Sequence, residues 1–317
     1  MSRLRTRFTA YGSAVLLVLG TLSVTSAATA SAHPAPKAQD LCGPGTAISL
    51  DRSEFPSRPA IENKWLPLEP GMQFTTTGKV VNTAEKTETK RTVISTVTGL
   101  TKKIDGVNTV VVWDRDNSDG ELAESELAFF AETKKGTVWL FGEYPEEYED
   151  GMLTGAPSTF ISGIDKAQAG IAMLDHPRPD APAYPQAYAP SVDFLDCAKV
   201  VDGHERVCVP AGCYHNVLVI DESNPLEEES VAGHQRKFYS KKTGLVQVKP
   251  VGGEEQEFLD LVQVKKLSRS ELKSINDQAL ALDSRGYTVS KDVYAKTPRA
   301  VVAKSSSHSG RSPRGDW

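Results

Sequence analysis

Beyond residue 32 the 317-residue sequence has no apolar run long enough to cross a bilayer. It also lacks a zincin helix, a Gly-rich phosphate loop, a nucleophile elbow and a Cys-x-x-Cys pair. These absences exclude the commonest hydrolase and nucleotide chemistries and any membrane span in the mature chain. Basic residues are not in excess: 36 Lys and Arg stand interspersed with 41 Asp and Glu. No basic stripe is available for phosphates, so no nucleic-acid partner is expected. The six histidines are scattered. His204, His215 and His234 could converge on a metal, but scattered surface histidine is much commoner. No metal, no other cofactor and no catalytic residue is therefore expected.

What is present begins with an export signal. Arg3, Arg5 and Arg7 precede the apolar stretch AVLLVLGTLSV, and ATASA offers small residues for cleavage after Ala32. The reading is a signal peptide over residues 1–32 and a secreted, extracellular protein. The four cysteines, Cys42, Cys197, Cys208 and Cys213, suit an oxidising compartment. Residues 33–64 are rich in Pro and Gly and predict an extended lead-in; Pro67 and Pro70-Gly71 then turn the chain into its first strand.

Strand signals follow in QFTTTGKVV, KRTVISTVTGL, NTVVVWDRD, ELAFFAET and TVWLFGEY, separated by IDG, NSDG and KKG turns. This predicts a first antiparallel meander over residues 65–144. Within TVWLF, Val138 and Leu140 share one face and Trp139 and Phe141 the other, so both faces should be covered. Residues 145–196 carry Gly and Pro without a sustained period and predict an ordered excursion packed across the sheet. Strands resume over 197–267. SRSELKSINDQALALDSRG then changes to a three- and four-residue apolar step, predicting one amphipathic helix over 268–285, capped by Ser268 or Ser270 and ended by Gly286. Residues 286–317 read as a C-terminal segment and a disordered tail.

The two strand-rich regions resemble each other. AFFAETKKGTVWLF matches RKFYSKKTGLVQVK, with Val110 to Val112 against Val217 to Val219, Phe130 against Tyr239, and Gly136 against Gly244. The fold class expected is mainly β: two related antiparallel meanders arisen by duplication, a long Pro/Gly-rich central loop, and one C-terminal amphipathic helix.

Two polar features carry site expectations. In DRDNSDGELAESE, Asp114, Asp116 and Asp119 resemble the start of a calcium loop, but Gly120 and Glu126 each come one residue late and strands replace the flanking helices. A solvated hairpin turn with Asp119-Gly120 at its tip is the better account, leaving cation binding there open. The cysteines are expected in two bridges. If Asp202-Gly203 is a hairpin turn, Cys197 falls opposite Cys208, leaving Cys42 to join Cys213. The alternative closes Cys208 to Cys213 across VPAG.

In combination, Asn63, Pro67, Leu68, Pro70 and Gly71, then Gly136, Val138, Trp139, Phe141, Gly142 and Glu143, then Lys237, Phe238, Tyr239, Gly244 and Val246 carry three motifs. These are N-x-x-x-P-L-x-P-G, G-x-V-W-x-F-G-E and K-[FY]-Y-x-x-x-x-G-L-V. In them the chain resembles a family of secreted, β-rich bacterial proteins over roughly residues 48–267. The resemblance implies a β fold and export, and it brings no catalytic residue. For function, three classes stand. The first is a non-enzymatic secreted binding or structural module, its partner a small molecule, lipid or cell-surface component. The second is a carrier of a lipid or other amphiphile in an apolar cleft. The third is a hydrolase using carboxylates of the EEYED stretch, Glu146 to Asp150.

Overall fold

The computed structural model describes residues 40–303; the signal-peptide segment and the RGD-containing tail lie outside them. The first five strands are β1 (Met72–Asn82), β2 (Thr87–Ile104), β3 (Val107–Ser118), β4 (Glu121–Glu132) and β5 (Val138–Glu149). The middle of the chain supplies β6 (Met152–Gly155), β7 (Phe160–Ile161), β8 (Gln168–Met173), β9 (Tyr184–Ala189), β10 (Phe194–Val209) and β11 (Gly212–Ser223). After a single helical turn, α1 (Glu229–Ala232), come β12 (His234–Ser240), β13 (Gly244–Val251) and β14 (Glu255–Lys266). Helix α2 (Arg269–Val289) and the short β15 (Val301–Val302) complete the fold.

β1 pairs with both β14 and β2, which closes the sheet into a 12-strand antiparallel barrel. Closure satisfies the backbone of strands that would otherwise be open edges. At the β1–β14 seam Gly78 is indispensable, because a Cβ there would sit 1.7 Å from the Phe258 carbonyl oxygen. β6 and β7 pair with β5, and β15 pairs with β2, all off the barrel path.

The two apolar faces of the sheet feed two cores. Val110, Val112, Phe130, Val138 and Leu140 point into the barrel, where Trp65 and Leu68 of the lead-in join them. Val111, Trp113, Phe129, Trp139 and Phe141 point outward and are covered by Ile275, Ala279 and Leu282 of α2 and by Tyr294. TVWLF is thus covered on both sides, as its alternation predicts. Phe130 and Tyr239 are both buried in the interior core.

α2 starts where the sequence predicts, with Ser268 and Glu271 closing a reciprocal capping box. Ser268→Ala should lower stability by about 1 kcal/mol in thermal unfolding, a typical cost for a lost cap. The helix does not stop at Gly286. It runs to Val289, and Gly286 is instead the point where the helix backbone touches the Tyr294 ring, a Cβ there falling 2.4 Å from Cδ1. Alanine would favour an exposed helix by about 1 kcal/mol. Here Gly286→Ala should lower stability by about 1 to 3 kcal/mol through overpacking. Unchanged or raised stability in urea unfolding would show that Tyr294 yields freely.

Other expectations are revised. Segment 145–196 is ordered but not merely laid across a sheet: β5 runs on to Glu149, and β8 and β9 are staves of the barrel. Residues 298–303, expected in the tail, reach β15 on the edge of β2. The strand triplets β3–β4–β5 and β11–β12–β13 pair in the same order, but Val110 faces Phe130 whereas Leu218, not Val217, faces Tyr239. Pairing order therefore matches, while register differs by one residue in the first strand pair and by more in the second, where Phe130 faces Leu140 but Tyr239 faces Leu245.

Candidate functional site in the barrel interior

The barrel encloses a cavity of about 90 Å³. Val97, Val112, Phe130, Leu140, Val248 and Leu259 give it apolar walls from six strands. Leu66, Pro67 and Leu68 of the lead-in also line it. That segment is pinned by Asn63, whose side-chain NH₂ donates to the carbonyls of Gly136 (2.7 Å) and Leu174 (3.0 Å). Its Oδ1 accepts from the backbone N–H groups of Trp65 and Leu66. The amide of Lys242 also donates to the Lys64 carbonyl. The lead-in is thus tied to the β4–β5 and β12–β13 turns while its leucines reach inward.

Along three adjacent strands the inward side chains change from apolar to acidic. β3 presents Val110, Val112, Asp114 and Asp116; β4 presents Phe130, Ala128, Glu126 and Glu124; β5 presents Leu140 and then Glu143. Facing pairs such as Val112–Ala128, Asp114–Glu126 and Ala128–Glu143 keep these on one face. All five carboxylates are buried, none above 3% exposed. This corrects the expectation of a solvated hairpin. Asp119-Gly120 does form the exposed tip, both residues at positive φ, but β3 extends to Ser118 and carries Asp114 and Asp116 inside.

Arg91 on β2 bridges Asp116 and Glu257 of β14, its Nε lying 2.9 Å from Glu257 Oε1. Lys237 on β12 pairs with Glu222 of β11. Asp196 of β10 and Glu143 lie on the cavity wall itself, as does Lys237. Among the described residues, eight interior carboxylates thus share Arg91 and Lys237 as their buried cations. Both oxygens of Glu126, and Oε1 of Glu143, have no hydrogen-bond partner there.

Desolvation governs protonation in this cluster. Burial pushes the Asp114 carboxyl up to about 7; the facing Ser95 hydroxyl offsets part of the rise and Asp116 adds to it. Burial raises Asp116 to about 6 against the opposing pull of Arg91. Glu126 and Glu143 are held well above the usual carboxylate range, first by burial. Glu143 then adds to the rise at Glu126, and Asp196 to that at Glu143. Carboxylic acids that stay neutral near neutral pH can donate hydrogen bonds as well as accept them.

The other candidates are elsewhere. Glu146, the buried acid of EEYED, lies on the outer face, where it accepts hydrogen bonds from the Tyr144 and Tyr148 hydroxyls (2.6 and 2.7 Å) and pairs with Arg285 of α2. Glu149 and Asp150 are exposed. His234 contacts Asp221 at 2.9 Å, while His204 and His215 stay apart from the cavity wall. No group of three or more His, Cys, Asp or Glu among the described residues is arranged to hold a metal ion.

The cysteines form two bridges, in the alternative pairing that closes Cys208 to Cys213. Cys42 joins Cys197, and Cys208 joins Cys213. The expected Cys197–Cys208 and Cys42–Cys213 pairs fail because Asp202-Gly203 is not a turn. β10 runs through it with register shifts, and the hairpin forms at Pro210-Ala211, placing Cys208 directly opposite Cys213. A bulge absorbs the extra residues that a hairpin turn would have used.

No protein-family model and no curated protein matches the chain. Two solved structures are similar to it. One is a candidate exported protein with a YmcC-like fold from Bacteroides fragilis, 15% identical, TM-score 0.39, covering 64% of this chain and 100% of its own. The other is a candidate lipoprotein from Parabacteroides distasonis, 13% identical, TM-score 0.35, with the same coverages. No helix among the described residues is long and apolar enough to cross a membrane.

Proposed function

We propose that the protein is a secreted, non-enzymatic binding module that takes up a small, partly apolar molecule inside its barrel. The observation that carries this reading is the apolar-walled cavity beneath the Leu66–Leu68 segment. Pockets with mostly apolar walls and a few convergent polar groups are the usual form of small-molecule sites. The N-terminal signal and the two disulfides support export. As it stands the cavity suits a short occupant; a longer carried chain requires the lead-in leucines to move aside. The hydrolase reading loses support because Glu146 is committed to Tyr144, Tyr148 and Arg285 on the far side of the sheet wall.

Native mass spectrometry of protein collected from its own secretion medium tests the reading. The expected result is an adduct that survives gentle desolvation and disappears on denaturation. A bare mass, together with no thermal shift from a panel of small apolar probes, would sink it.

A further inference from the structure

The acidic wall of the cavity specifies more than an apolar occupant. We propose that the occupant is an amine-bearing, partly apolar molecule whose cationic nitrogen sits against Glu126 and Glu143 while its hydrocarbon part lies among Val112, Phe130 and Leu140. This rests on the reading above and deepens it.

Three observations carry it. First, Glu143 lines the cavity and is 3% exposed, yet its Oε1 has no hydrogen-bond partner among the described residues; Glu126, fully buried on the same face, leaves both oxygens so. A buried acceptor without a partner is costly, so Glu143 on the cavity wall, with Glu126 behind it on the same face, points to a donor that occupies the cavity. Second, the interior holds more buried acids than bases: Arg91 pairs with Asp116 and Glu257, and Lys237 pairs with Glu222 while its charge also acts on Glu126 and Glu143. A further positive group would complement the acids that Lys237, itself on the cavity wall, leaves in excess. Third, the carboxylates adjoin apolar walls and are not gathered into a metal-binding set. An ammonium on a hydrocarbon stem satisfies both surfaces, donating up to three hydrogen bonds to carboxylate oxygens.

The elevated proton affinities of Glu126 and Glu143 fit this assignment. A bound cation offsets the like-charge repulsion and desolvation that raise them. Binding at pH 7 should then release protons, since Asp114, which faces Glu126, is raised to about 7, and apolar burial alone does not give that signature.

Isothermal titration calorimetry with the full secreted protein tests the proposal, using primary alkylamines from butylamine to octylamine and the alcohols and carboxylates of the same chain lengths. The amines should bind at least tenfold more tightly than the alcohols, the carboxylates more weakly than either. The heat of amine binding should vary with buffer ionisation enthalpy, showing proton release. Glu143→Gln and Glu126→Gln should each cut amine affinity at least tenfold, and alcohol affinity by a clearly smaller factor. Both variants should also be at least as resistant to unfolding at pH 8 as the parent, since each removes a buried ionisable group. A merely structural role would not separate amine from alcohol binding in this way. Alcohols binding as well as amines, with neither variant discriminating, would overturn the cationic assignment and leave the binding reading standing. No binding by any of the three series would overturn both.

Discussion

Lowering the pH from 8 to 5 should stabilise this protein, by roughly 2 to 3 kcal/mol from Asp114 alone at about 1.4 kcal/mol per unit of differential pKa. The direction follows from which state holds the proton. Asp114 titrates near 3.8 when unfolded and at about 7 when folded, so between these values the native protein binds more protons than the unfolded chain. The associated stability is fully present below about 3.8 and is lost as pH rises through about 7. Asp116, raised to about 6, and Glu126 and Glu143, held well above the usual carboxylate range by burial, act in the same sense. So do Glu132, Glu227 and Glu255, each raised chiefly by burial. The carboxyls shifted downward, Asp51, Asp175 and Glu271, are mostly ionised in both states above pH 5 and contribute little slope in this window. Urea unfolding at each pH unit measures the trend. Asp114→Asn should flatten it and exceed the parent in stability at pH 8. Stability that is flat or rises toward pH 8 would mean that the interior acids are neutralised by some other route.

The same carboxylates show where sequence reasoning failed. Asp119-Gly120 is a strong two-residue turn signal, and its tip position is correct. Its strength drew Asp114 and Asp116 into the turn as well, although Val110, Val112, Asp114 and Asp116 keep one unbroken phase of two. Glu124, Glu126, Ala128 and Phe130 do the same on β4. Following that phase would have placed the acids inside, because a strand cannot change faces without a bulge. Asp202-Gly203 carries the same dipeptide signal and fails outright, since β10 absorbs it as a bulge and turns at Pro210-Ala211. A dipeptide states only that the backbone can turn; long-range pairing decides whether it does.

The β class, the capped helix and the double-sided TVWLF strand were legible because each depends on local periodicity. Barrel closure was not, since it rests on β1 meeting β14, with β2 to β13 lying between them in sequence. Nor could periodicity show that 168–173 and 184–189 are staves. β8 and β9 are short and flanked by Gly and Pro, and their neighbours rather than their composition hold them in the sheet.

Removing the Cys42–Cys197 bridge should cost about 5 kcal/mol, against about 2 for Cys208–Cys213, on loop-closure entropy. The first bridge spans a sequence separation of 155 and the second a separation of 5, so only the first greatly restricts the unfolded chain. Paired substitutions, Cys42→Ser with Cys197→Ser and Cys208→Ser with Cys213→Ser, avoid leaving a lone thiol. The long-range pair should show the larger fall in denaturation midpoint by a clear margin. It also holds the start of a lead-in that continues through Phe55, packed edge-on against Trp139 and Phe141, to the Leu66–Leu68 segment over the cavity. Loosening that start should therefore raise the rate at which a bound probe leaves, an effect the short bridge at the β10–β11 hairpin does not share. Access to reductant separates the two as well. Cys208 and Cys213 are exposed while Cys197 is 7% exposed, so mild reduction of folded protein should open the hairpin bridge first. Equal losses from the two double variants would mean that the unfolded chain keeps its lead-in close to β10 without the bond, and that the bridge records a contact already favoured by packing.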